Sequence, residues 1–132
     1  HPTLKWTTGE HEYTRYGFRR LIEERTLDIL QPDVMWVGGM TELLRIAAHA
    51  AAYDQLVVPH GSGPYSYHFI ASQTAPAFCE YVAASADGQS VQPVFGDLFI
   101  GEALPQNGRM ALSDRPGFGM ELRSREDLVP VE

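Results

Sequence analysis

Four ionisable residues stand where short apolar segments stop. Glu10 follows Trp6-Thr7-Thr8-Gly9, Asp33 follows Ile29-Leu30-Gln31-Pro32, His60 follows Leu56-Val57-Val58-Pro59, and Glu80 follows Phe78-Cys79. If those segments are neighbouring parallel strands, their C-terminal ends share one mouth, where barrel enzymes place their chemistry. Carboxylates and an imidazole at one mouth can supply a metal ligand, an orienting group, a base and an acid. Asp33 and His60 are the central pair. Adjacent strands lie about 4.7–4.9 Å apart, so a carboxylate at position 33 can accept an imidazole N–H, select its tautomer and raise its pKa. The competing reading of Asp33 is an Asx turn into Val34, and that of His60 is a loop histidine bonded for structure.

The other candidates carry similar pairs of readings. Glu10 offers the hard oxygen that Mg²⁺ prefers, although a lone strand-end carboxylate is more commonly a solvated loop residue. His11, beside it, is placed to reach a substrate, whereas helix entry turns Glu12 away. Glu80 at the mouth, if protonated, can donate to a developing oxyanion; equally, it fits a surface or salt-bridged residue. Ser62 is loop-borne, with no Gly-x-Ser-x-Gly elbow around it. It shares with His11 a candidate role in substrate binding. Gly61-Ser62-Gly63 lacks the remaining features of a phosphate loop. His49 and His68 fall on predicted helices and read as structural.

The elements that must position these groups follow a βα rhythm. Leu4–Thr8, Leu27–Gln31, Leu56–Pro59 and Ala77–Val82 read as strands. Between them lie helices predicted over about Arg15–Glu24, capped by Thr14, over Glu42–Tyr53, capped by Thr41, and over Ser66–Gln73. In the first helix Tyr16, Leu21 and Ile22 are expected to face inward. In the second, Leu43, Leu44, Ile46, Ala47 and Ala50 form a wide apolar stripe. Beyond Tyr81 the rhythm ends. Pro93, Gly96, Gly101, Pro105, Gly108, Pro116, Gly117 and Gly119 break the chain into short pieces. Two strands are expected there, Arg109–Leu112 and Phe118–Leu122.

Composition sets limits. At 132 residues and 44% hydrophobic, the chain can hold one small core. A formal net charge of −7 argues against nucleic acid, whose phosphates demand clustered Lys and Arg. The single cysteine, Cys79, excludes an intrachain disulfide and fits a reducing, cytoplasmic compartment. No apolar run approaches a membrane span. His1-Pro2-Thr3 carries neither an initiator Met nor a signal-peptide pattern, so a piece of something larger is expected.

Taken together, Gly9-Glu10-His11-Glu12, Gln31-Pro32-Asp33, Val37-Gly38-Gly39, Val57-Val58-Pro59-His60-Gly61-Ser62 and Phe95-Gly96-Asp97 resemble the C-terminal part of the enolase superfamily. The likeness is to the acid-sugar dehydratases of the mandelate racemase subgroup. Tyr65-Ser66-Tyr67-His68-Phe69 and Pro116-Gly117-Phe118-Gly119 favour those acting on L-rhamnonate. The resemblance implies an α/β fold, the last βα units of a (β/α) TIM-like barrel over residues 1–84, and a tail over 85–132 returning to a capping domain. It implies Mg²⁺ held by Glu10 with two further carboxylates that have no counterpart here. It also implies a catalytic set of His60, Asp33 and Glu80, and a 2-keto-3-deoxy sugar acid as product. The remainder of the barrel and the capping domain are then expected partners, with a homo-oligomer possible and neither nucleic acid nor membrane bound. On that reading the chain alone is inactive. The alternatives are another racemase or dehydratase of the superfamily, or a non-catalytic half-barrel interaction module.

Overall fold

The computed structural model describes residues 3–61, 63–75, 78–82 and 85–124. The chain divides into two units, His1–Tyr81 and Val82–Glu132. In the first, β1 (Thr7–Thr8), β2 (Ile29–Leu30) and β3 (Leu56–Val57) form a parallel sheet in the order β1-β2-β3. They alternate with α1 (Thr14–Glu23), α2 (Met40–Ala51) and α3 (Pro64–Ser72). Each strand is shorter than its apolar run predicts. Pro32 and Pro59 have no N–H to give to a ladder, so regular pairing stops before them. The register nevertheless continues: Val58 N–H donates to Leu30 O at 2.9 Å and His60 N–H to Pro32 O at 3.0 Å. Ile29 pairs with Leu56, and the same offset of 27 residues joins Asp33 to His60 in a parallel bridge.

The core lies between this sheet and its helices. Leu30 and Val57 pack with Phe18, Ile22, Leu43, Ile46, Ala47, Ala50 and Phe69. Side chains alternate along a strand, so with Leu30 facing the helices, Ile29, Gln31 and Asp33 share the opposite face. That alternation is what delivers Asp33 to the site.

The helices depart from expectation in informative ways. In α1 the buried pair is Phe18 and Ile22, spaced i, i+4, while Tyr16 is 71% exposed. Two helical positions from Phe18 is nearly the opposite side of the helix, and the Tyr16 ring instead lies under the Arg15 guanidinium, 4.5 Å away. Likewise Leu44 is exposed although its neighbour Leu43 is fully buried. Thr41 does not act as a cap, whereas the Thr14 hydroxyl accepts the Tyr16 backbone N–H at 3.4 Å, a long form of the expected cap. Tyr13 and Gly39 occupy the N-cap positions, and neither side chain caps. For α1 a second and shorter capping bond comes from another helix: the buried Glu42 carboxylate accepts the Arg15 backbone N–H at 2.8 Å. The same carboxylate takes both oxygens to the Arg15 guanidinium, each at 2.8 Å, and meets Arg45 at 3.1 Å. An anion at a helix N-terminus satisfies an orphan donor and opposes the helix dipole.

The fourth strand is not found: residues 78–82 have no regular structure. Nothing pairs with the outer edge of β3 among the described residues.

Among its described residues the second unit contains one antiparallel strand pair, β4 (Phe99–Ile100) with β5 (Glu121–Leu122). β5 falls within the predicted Phe118–Leu122 strand, but its partner is Phe99–Ile100 rather than Arg109–Leu112. Arg109 instead closes a tight turn on Gln106, with bonds of 2.8 and 3.0 Å. Asn107 and Gly108 between them both take positive φ, 51° and 72°, as a type I′ hairpin turn requires. Arg123 anchors β5 by donating from its backbone N–H to Leu98 O at 3.0 Å.

Candidate active site

The site is assembled at the C-terminal ends of the three strands. Asp33 leaves β2 by way of Pro32, and His60 leaves β3 by way of Pro59; both prolines are fully buried. His60 Nδ1 lies 3.0 Å from Asp33 Oδ2. Asp33 Oδ1 accepts the backbone N–H groups of Met35 at 2.8 Å and Trp36 at 3.2 Å. The two readings of Asp33 are therefore both true. One oxygen makes the turn and the other holds the histidine.

Glu10 follows Gly9, which has φ +133°. A Cβ at Gly9 would sit 2.9 Å from the Phe18 ring and 3.3 Å from the Gln31 carbonyl carbon, so only glycine lets β1 turn here. The turn brings Glu10 Oε2 to 3.4 Å from His60 Nε2. Glu80 arrives from the irregular 78–82 segment. Its Oε2 accepts the Gly61 backbone N–H at 2.8 Å and stands 4.0 Å from His60 Nε2. One imidazole thus meets three carboxylates, at Nδ1 by Asp33 and at Nε2 by Glu10 and Glu80. Burial disfavours its charged form, but the Asp33 hydrogen bond and the charges of Glu80, Glu10 and Asp33 together outweigh that, and the His60 pKa is raised. With Nδ1 committed to Asp33, Nε2 is the atom free to take or deliver a proton.

Four sequence candidates converge here: Glu10, Asp33, His60 and Glu80. His11 stands at the rim, its side chain 84% exposed, its ring edge-on to Trp36 at 6.1 Å and its Nδ1 4.0 Å from Glu10 Oε1. Ser62 lies outside the described residues. Glu12 folds back against Gly17 of α1, away from the cluster. His49 rests edge-on against Tyr53, 5.5 Å between ring centroids. Cys79, half-buried, has its thiol pKa pushed up by burial, as suits an unreactive thiol.

Two polar residues at the site escaped sequence reasoning. Gln31 Nε2 lies 3.4 Å from Glu80 Oε1, and Gln31 Oε1 accepts the Thr7 hydroxyl at 2.8 Å. A neutral amide directly after a strand gives no charge signal. Its place two residues before Asp33, on the same strand face, was the available clue.

Among the described residues, no group of three or more His, Cys, Asp or Glu side chains is arranged to hold a metal. Glu10 is a partly exposed hard-oxygen donor and fits Mg²⁺ as one ligand. It does not make a site alone.

Comparison with known proteins agrees with this architecture. Residues 3–127 match the family described as Enolase C-terminal domain-like. L-Rhamnonate dehydratase of Saccharopolyspora erythraea is 47% identical over 126 residues, which cover 96% of this chain and 32% of that protein. The crystal structure of L-rhamnonate dehydratase from Gibberella zeae superposes with a TM-score of 0.86 at 63% identity, covering 93% of this chain and 32% of that one. A second Gibberella zeae structure, complexed with Mg, matches equally well over 31% of its length. L-Talarate dehydratase from Polaromonas sp. JS666, complexed with Mg and L-glucarate, is more distant, with 28% identity, a TM-score of 0.76, and coverage of 90% of this chain and 30% of that one. The chain spans about a third of the length of the relatives it matches. Its parallel βα units, its strand-end cluster and a family match across residues 3–127 lead to one conclusion: this chain belongs to the enolase C-terminal domain-like family, an α/β fold of TIM-barrel type.

Proposed function

We propose that this chain is the C-terminal part of a sugar-acid dehydratase acting on L-rhamnonate. The observation that carries the reading is the His60 imidazole, held through Nδ1 by Asp33 at 3.0 Å and presenting Nε2 between Glu10 and Glu80. The 63% identity to a rhamnonate dehydratase supports the substrate.

Each residue then has a task. His60 Nε2 removes the proton from C2 of the sugar acid, and the electrons of that bond form the enediolate. Asp33 stabilises the resulting imidazolium. Glu80, in its carboxylic-acid form, donates a hydrogen bond to the enediolate oxygen. The C3–O bond then breaks as His60 returns its proton to the departing hydroxyl, giving water and an enol that tautomerises to the 2-keto-3-deoxy acid. Proton transfer by a positioned side chain contributes about 10²–10⁴-fold. His11 contacts the substrate from the rim, and Ser62 is assigned to substrate binding as well. Mg²⁺, held by Glu10 together with ligands outside this chain, supplies positive charge at the substrate carboxylate when bound. Residues 1–84 serve as the closing part of the catalytic barrel and 85–132 as the tail associated with its capping domain.

The test is turnover by a full-length protein containing this chain, assayed for 2-keto acid with Mg²⁺ across a panel of sugar acids. L-Rhamnonate should be preferred, and His60→Asn should lower turnover by at least about 10²-fold. Preference for another acid would reassign the substrate within the superfamily, a reading favoured by the relative named for L-talarate. Equal activity of the variant would remove His60 from the mechanism.

A further inference from the structure

Beside the Asp33–His60 pair runs a second polar rung that the chemistry above leaves unused. Thr7 on β1 donates its hydroxyl to Gln31 Oε1 at 2.8 Å, and Gln31 Nε2 faces Glu80 Oε1 at 3.4 Å. The other oxygen, Glu80 Oε2, accepts the Gly61 N–H at 2.8 Å. The two ends of an amide are chemically opposite. With the Thr7 hydroxyl hydrogen on its carbonyl, Gln31 must turn its NH₂ toward Glu80. Turned the other way, it would set a carbonyl oxygen against a carboxylate oxygen.

Glu80 needs this support more than its neighbours do. Asp33 and His60 are fixed by a parallel bridge, whereas Glu80 sits in the 78–82 segment without regular structure. Two N–H donors, one on each oxygen, fix both the position and the plane of a carboxylate. Gln31 contributes one of them from the position directly after β2, where its own N–H bonds Thr8 O at 2.9 Å, and so transfers the rigidity of the sheet to a group carried by a loop.

We infer that Gln31 is a positioning residue for Glu80, and that the Thr7 hydroxyl anchors the other end of its amide. The inference rests on the proposed dehydratase reading for its effect on rate, but not for its geometry. In the full-length enzyme, Gln31→Leu should lower kcat by about tenfold or more with KM within about twofold, the pattern of a lost transition-state contact. Thr7→Val should lower kcat severalfold, and Thr7→Ser, which keeps the hydroxyl, should restore most of it. In a Glu80→Gln background, Gln31→Leu should cost nothing further, because the two act through one group. Additive losses there, or full activity of Gln31→Leu, would overturn the inference. A crystal structure of Gln31→Leu provides a readout independent of turnover: the Glu80 carboxylate should leave its place beside Gly61, and an unmoved carboxylate would refute the role. Absence of sugar-acid turnover in the unmodified enzyme would reject the dehydratase reading instead, and the crystal structure would still decide the role of Gln31.

Discussion

Asp33 divides its two oxygens between two tasks, and a single substitution separates them. Asparagine keeps an oxygen for the Met35 and Trp36 N–H groups, so the turn after β2 should survive Asp33→Asn. What it loses is the negative charge opposite His60 Nδ1. Under the proposed mechanism, kcat should fall by about 10²–10⁴-fold while the unfolding midpoint stays near that of the parent. Asp33→Ala removes both functions and should lower activity and stability together. Steady-state kinetics beside thermal unfolding distinguishes the two, and a stable, fully active Asp33→Asn would show that the pairing serves structure alone. Gly9 is a residue-scale constraint of a different kind. Its φ of +133° and its contact with Phe18 leave no room for a Cβ, so Gly9→Ala should cost about 1–3 kcal/mol by chemical denaturation. Because Glu10 is next in the chain, its activity should fall too.

At the scale of elements, α1 depends on α2 for its N-terminus. The Glu42 carboxyl is held below the usual carboxylate range, first by the Arg15 backbone N–H against the opposing effect of burial, then by Arg45 and the Arg15 side chain. The direction of the pH effect follows. A group whose folded pKa is depressed contributes stability above its unfolded value, about 4.3, and that contribution disappears as pH falls through the folded pKa. Stability should therefore drop on acidification below about pH 4.3, and Glu42→Gln should flatten that part of the curve while lowering stability at neutral pH. Urea unfolding at a series of pH values measures this; identical acid slopes would show that Glu42 is not the titrating group. The same helix pair shows where local rules fall short. Thr14 and Thr41 carry the right chemistry for N-caps, yet the Thr14 bond is long, at 3.4 Å, beside the 2.8 Å bond from a buried glutamate of the neighbouring helix, and Gly39 rather than Thr41 takes the N-cap position of α2. Side-chain caps compete on distance, and distance between helices is not a local property.

At the scale of the whole molecule, the sheet of the first unit has, among the described residues, three strands, with β1 and β3 at its edges. A closed barrel of this type has eight, in about 250 residues. Leu4 and Trp6, beside β1, are 59% and 65% exposed. Open edges next to apolar surface favour association with other chains. Expressed alone, the 132-residue chain should show no turnover of L-rhamnonate with Mg²⁺ and should self-associate. Light scattering after size exclusion reports the second. A monodisperse, active 14.7 kDa species would contradict the proposal that the site is completed by other segments. Co-expression with the missing part of a relative's barrel should recover activity.

From its sequence alone this protein already disclosed its βα rhythm, its three helices and four groups of the site. Those features depend on short-range patterns: the period of apolar residues, the prolines and glycines that stop strands, and the residue types placed directly after them. The tail's Asn107-Gly108 turn was equally local and could have been read the same way. The tertiary structure alone decided which atoms meet. That Asp33 serves a turn and a histidine at once depends on a register holding over 27 residues; that Glu80 arrives on an irregular segment, and that Gln31 joins it to Thr7, depends on contacts 49 and 24 residues apart in the chain. The physical reason is one of range: a hydrogen bond lives or dies within a few tenths of an ångström, and such distances are set by the packing of whole elements.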